Sequence, residues 1–215
     1  MGADPTTDGR DPRSGSPVAP ETDESAFFVV GIGASAGGLE AVSALLRRVT
    51  YDGAAFIVVQ HLAPNQTSML TELLGRASRL AVETIEDGVL IQRNHVYVCP
   101  PNAVLCLEGN LIRLLAPGGN RPEMPIDAFF RSLAENRGLK AMGVVMSGTG
   151  TDGTFGLAAI KAAGGITFVQ EPTSAKFDGM PRSARDSGAA DFCLAPEAIA
   201  DEILRVSSHP YLQPA

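Results

Sequence analysis

The run Phe27-Phe28-Val29-Val30-Gly31-Ile32-Gly33-Ala34-Ser35-Ala36-Gly37-Gly38 decides the fold. Its first half is continuously apolar and rich in β-formers, the pattern of a strand buried on both faces of a parallel sheet. Its second half is small residues ending in a glycine pair. Leu39, Val42, Leu45 and Leu46 then follow at helical spacing. Strand, sharp turn and helix in succession open an α/β unit.

Working outward, the alternation continues. Residues 55–59 form a second apolar run, and residues 68–76 read as a helix with Ser68 as its N-cap. Residues 142–146, 166–169 and 192–194 read as strands, and residues 126–135, 155–163, 181–186 and 196–206 as helices. Residues 96–99, 104–107 and 111–114 are three short strands, with Glu108-Gly109-Asn110 as a tight turn between the last two. They are expected to form an antiparallel meander at one edge. The expected fold is α/β: a doubly wound, mostly parallel sheet with helices on both faces and a small antiparallel hairpin insertion.

The chain has 215 residues and a formal net charge of −7. An acidic balance disfavours nucleic acid as a partner, because phosphate binding wants a basic face. Residues 1–25 contain almost nothing apolar, and six acidic and two basic side chains give them −4 of the −7. They read as a disordered acidic tail. A folded domain over residues 26–206 and a C-terminal tail or linker over 207–215 complete the expected organisation. The first residues carry no apolar signal core, and no run is long enough to cross a bilayer, so the chain is expected to be cytoplasmic and not membrane-inserted. The three cysteines have neither a disulfide nor a zinc spacing. Cys99 and Cys193 fall on apolar strand patterns and are expected in the core. His95 and His209 are expected to be solvated.

Sites in open α/β sheets form where loops leave the carboxyl ends of strands. Three such ends stand out: Ser35 after the first strand, His61 after the second, and Asp152 in Ser147-Gly148-Thr149-Gly150-Thr151-Asp152-Gly153. The sheet would gather them on one rim. A serine hydroxyl needs an adjacent base to attack a carbonyl at neutral pH, which nominates His61, and a carboxylate that orients the imidazole, which nominates Asp152. The backbone amides of Ala36 and Thr149 are the candidate donors to a developing oxyanion. This chemistry needs no metal and no cofactor. Gly31-x-Gly33-x-x-Ala36 also fits the loose dinucleotide fingerprint, but that site wants an acid at the end of the second strand, where this chain has Gln60-His61.

Jointly, GIGASAGG (31–38), VVQH (58–61), PPNAVL (100–105), SGTGTDG (147–153) and DGMPRSA (178–184) resemble the catalytic domain of the chemotaxis receptor methylesterases, also called protein-glutamate methylesterases or glutamine deamidases. The likeness covers roughly residues 27–206. It implies Ser35 as nucleophile, His61 as base and Asp152 as third member. It implies γ-glutamyl methyl esters on chemoreceptor cytoplasmic domains as substrate and partner, with glutamine side-chain amides as a further substrate. Stand-alone enzymes of the family usually carry a receiver domain before the catalytic one. The SGTGTDG and DGMPRSA forms look more like the methylesterase domain of methylesterase–methyltransferase fusions, which makes a fused or separate methyltransferase an expected companion. The usual family pattern has Thr where this chain has Ala36 and Met where it has Thr149. A catalytically weak domain that docks on receptors or signalling partners is the alternative.

Overall fold

The computed structural model describes residues 27–50, 53–61, 67–115 and 124–208. The expected tail at 1–25, most of that at 207–215, and His209 lie outside the described residues. The chain runs β1 (Val29–Ala34), α1 (Gly38–Arg48), β2 (Ala55–Gln60), α2 (Thr67–Ala77), β3 (Ala81–Thr84), β4 (Val89–Leu90), β5 (His95–Val98), β6 (Val104–Glu108), β7 (Leu111–Leu115), α3 (Pro125–Arg137), β8 (Ala141–Val145), α4 (Thr154–Ala162), β9 (Ile166–Gln170), α5 (Gly179–Asp186), β10 (Phe192–Leu194) and α6 (Pro196–Ser207).

Seven strands pair in parallel in the order β10-β9-β8-β1-β2-β5-β3. β1 is central, with Val29 level with Ala55 on one side and Ala141 on the other. From β1 the chain builds towards β2, then crosses back to β8. The topological switch therefore lies at β1, and the carboxyl ends of β1, β2 and β8 stand side by side there. Alternate side chains feed two cores. Val30, Ile32, Phe56, Val58 and Val144 pack with α1, α2 and α6. Ala55, Ile57, Val59 and Val145 pack with α3, α4 and α5. Burying each large apolar side chain contributes about 1.5–3 kcal/mol.

The antiparallel part differs from the expected meander. Residues 96–99 do not join it: β5 enters the main sheet between β2 and β3 as a parallel strand. The hairpin β6–β7 turns at Gly109, at φ 58°, as expected, and pairs with β4 into a separate three-stranded sheet. β3 and β4 had no counterpart in the sequence reading. α2 starts at Thr67, so Ser68 lies in its first turn and is not the N-cap. Cys193 is exposed on β10 rather than in the core, whereas Cys99 is buried as expected. His95 is half-buried, stacked on Tyr97 at 5.9 Å, with Nδ1 3.0 Å from the Arg93 carbonyl.

Gly31 and Gly33 lie inside β1, not in the turn beyond it. They face α3. A Cβ at Gly31 would stand 2.8 Å from Phe129 and 2.9 Å from Leu133, and one at Gly33 would overlap Ile126 Cγ2. Neither needs a positive φ. These glycines exist so that α3 can lie directly on the strand. Gly33→Ala is therefore expected to overpack this contact and to cost about 1–3 kcal/mol. Urea unfolding followed by circular dichroism checks it: the midpoint falls with no change in slope.

Candidate active site

The turn after β1 is built by continuing the strand ladder. Ser35 N–H donates to the Ser147 carbonyl at 3.0 Å, and His61 N–H to the Ala34 carbonyl at 3.2 Å. Ser35 and His61 are thus the next residues of two neighbouring parallel strands, about one strand spacing apart. Gly37 then takes φ 73° as the N-cap of α1, and a Cβ there would press to 2.7 Å from Ser147 Oγ. The Ser35 hydroxyl makes no hydrogen bond with any described residue.

His61 Nε2 lies 3.0 Å from Asp152 Oδ2. Asp152 is nearly fully buried, and its carboxylate collects backbone donors. Oδ2 accepts from Ile126 N–H at 3.0 Å, and Oδ1 accepts from Asp127 and Gly153 N–H, both at 2.9 Å. Ile126 and Asp127 sit in the first turn of α3, where helix amides have no intrahelical partner and the dipole favours negative charge. A carboxylate that already holds three backbone N–H groups acts as an acceptor, so Nε2 donates to it. That fixes the tautomer and leaves the Nδ1 lone pair as the basic one.

Asp127 is a buried carboxyl that sequence reasoning missed, because an acid in a helix first turn looks like ordinary capping. Burial pushes it above the usual carboxylate range, with Asp152 adding to the rise and the Gly156 amide and Arg131 opposing it. Ser147, in the SGTGTDG segment, holds the turn after β1 in place. Its hydroxyl donates to the Ala36 carbonyl at 2.8 Å and accepts from Phe177 N–H at 3.1 Å. Its N–H donates to Gln170 Oε1 at 2.8 Å. Gly148 N–H donates to the Phe177 carbonyl at 2.9 Å and is occupied. The amides of Ala36 and Thr149 donate to no described residue.

A cleft of about 190 Å³ opens beside His61, walled by Gln60, Cys99, the turn Pro100-Pro101-Asn102 and Pro125. Burial pushes the Cys99 thiol up to about 12, so it is no nucleophile at neutral pH. Among the described residues no group of three or more His, Cys, Asp or Glu side chains could hold a metal ion. No helix among them is long and apolar enough to cross a membrane.

Residues 30–203 match the protein family described as CheB methylesterase. The chain belongs to that family. It is 35% identical over 185 residues to a protein-glutamate methylesterase/protein-glutamine glutaminase of Photorhabdus laumondii, covering 84% of this chain and 53% of that protein. It is 42% identical over 140 residues to an uncharacterized 104.1 kDa protein in the hypE 3′ region of Rhodobacter capsulatus, covering 63% of this chain and 15% of that protein. The chain thus spans about half the length of the methylesterases it matches. Among solved structures, the Thermotoga maritima CheB methylesterase catalytic domain superposes with a TM-score of 0.77 at 26% identity, covering 84% of this chain and 98% of that one. The CheB catalytic-domain fold is thus common to both.

The Ser147 hydroxyl ties the turn after β1 to the loop before α5. Ser147→Ala frees the Ala36 carbonyl and the Phe177 amide, at about 1–3 kcal/mol for groups left unsatisfied. Amide hydrogen exchange is expected to accelerate by about tenfold or more at 35–38 and 176–178, while β1 keeps its protection.

Proposed function

We propose that this domain hydrolyses glutamate γ-methyl esters on chemoreceptor cytoplasmic helices, and the corresponding glutamine amides, through an acyl-enzyme on Ser35. The observation that carries the reading is the His61–Asp152 hydrogen bond at the strand end next to Ser35. Relatives that are protein-glutamate methylesterases/protein-glutamine glutaminases support it.

Ser35 Oγ attacks the ester carbonyl as its proton passes to His61 Nδ1. The imidazolium is stabilised by Asp152 through Nε2. The tetrahedral oxyanion is received by the Ala36 and Thr149 amides. His61 returns the proton to the leaving oxygen, so methanol departs, or ammonia from an amide. Water, deprotonated by His61, then attacks the acyl-serine and releases the glutamate carboxylate and free Ser35. Compared with the serine-protease arrangement, the two imidazole nitrogens exchange roles. The 104.1 kDa relative supports a setting in which such a domain sits within a much longer protein.

Methanol release from methylated receptor fragments tests the reading, with Ser35→Ala as control. That variant removes one hydroxyl from a turn shaped by Gly37 and the Ser147 bracket. It is expected to fold normally and to lose about a millionfold in turnover. Near-normal release by a folded Ser35→Ala protein would overturn the assignment.

Asp152→Asn is expected to act twice. The amide nitrogen must face either Ile126 N–H and His61, or the Asp127 and Gly153 amides. Stability should fall by about 1–3 kcal/mol for the donor left without an acceptor. Turnover should fall by about 10⁴ as the imidazole loses its proper tautomer. Thermal unfolding and initial rates on the same preparation separate the two effects.

A further inference from the structure

Asp127 and Asp152 form a reciprocal pair that the hydrolytic scheme does not use as a pair. Asp152 stands two residues before α4, yet its carboxylate receives the first-turn amides of α3. Asp127 stands in the first turn of α3, yet its Oδ1 receives the Gly156 N–H of α4 at 2.6 Å. Each helix start is thus capped by an acid belonging to the other. At Gly156 the two helices also meet without a side chain between them. A Cβ on Gly156 would lie 3.0 Å from both the Asp127 Cα and carbonyl oxygen, and 2.5 Å from Phe130 Cβ. Asp127 is 2% exposed. The charged groups that bear on it are Asp152 at the foot of α4 and Arg131 on α3 itself.

The exposed member of the chain is His61, whose side chain is 36% accessible and is held through Asp152 Oδ2. Asp152 takes its position from the α3 amides. The Asp127–Gly156 bond ties those amides to the start of α4. We propose that Asp127 is a positioning residue for the His61–Asp152 pair: by locking the start of α4 to the start of α3, it fixes the carboxylate oxygen that faces the imidazole. Asp127 touches no reacting atom and acts through Asp152. Its relevance to turnover rests on the methylesterase reading above; its effect on the imidazole does not.

The experiment compares the full chain with Asp127→Ala and Asp127→Asn. One readout is kcat and KM for methanol release. The other is the downfield ring N–H resonance of His61 in proton NMR, which reports the bond to Asp152 whether or not the protein turns over. Removing the acceptor in Asp127→Ala is expected to lower kcat by about 10- to 100-fold with KM within threefold, corresponding to about 1.4–2.7 kcal/mol. The ring resonance is expected to broaden or vanish. Asp127→Asn keeps an oxygen for Gly156 N–H, and is expected to recover at least tenfold of a hundredfold loss and to retain the resonance. A folded Asp127→Ala protein with wild-type kcat and an unchanged resonance would overturn the proposal. So would equal loss of the resonance in both variants. If Asp127→Ala does not fold, Asp127→Ser is measured in the same way, since its hydroxyl occupies the polar site but is too short to span to Gly156. Should the wild-type chain release no methanol, the methylesterase reading fails and the resonance alone still decides the role of Asp127.

Discussion

The site depends on one close approach: α3 lying on β1 where Gly31 and Gly33 leave the strand without side chains. Packed interiors have little slack, so the depth of that contact sets where the first turn of α3 ends up. The first turn carries the Ile126 and Asp127 amides that hold Asp152, and Asp152 holds His61. Geometry at the rim that carries Ser35, His61 and Asp152 is therefore inherited from hydrophobic packing inside the sheet. A glycine pair that looks like a phosphate-binding turn in the sequence is in fact a seat for a helix.

The same contact solves an electrostatic problem. A buried carboxylate is expensive unless its oxygens are hydrogen-bonded. Asp152 meets that cost with three backbone amides besides the imidazole, two of them from a helix start with donors to spare. α3 gains a cap that its own N-cap, Met124, does not supply. Function and fold are thus served by one set of hydrogen bonds.

Much of this was legible in the sequence because the central strands are buried on both faces. β1, β2 and β8 are continuous apolar runs, and such runs followed by turns give both the sheet and the rim carrying Ser35, His61 and Asp152. The edge was harder. β3 is Ala81-Val82-Glu83-Thr84 and largely exposed, so it lacks the apolar signal altogether. β5 resembles its hairpin neighbours in length and composition, and only the three-dimensional pairing assigns it to the parallel sheet. Cys193 sits on an outermost strand, where an apolar pattern no longer guarantees burial. Asp127 and Ser147 were missed as working residues because their significance lies in partners 29 and 111 positions away, Gly156 and Ala36. No local pattern encodes those separations.

Those separations govern when the site comes into being during synthesis. His61 and Asp152 are 91 residues apart, and the loop bracketing Ser147 closes through Phe177. A chain emerging from the ribosome at about 5–20 residues per second exposes Ser35 and His61 many seconds before their partners exist. Until residues 125–145 are made, β1 lacks its β8 neighbour and the α3 helix that covers its Gly31 and Gly33 face. The nascent domain therefore presents a bare apolar strand pair first, and the His61–Asp152 pair and the Ser147 bracket are complete only once Phe177 has been made.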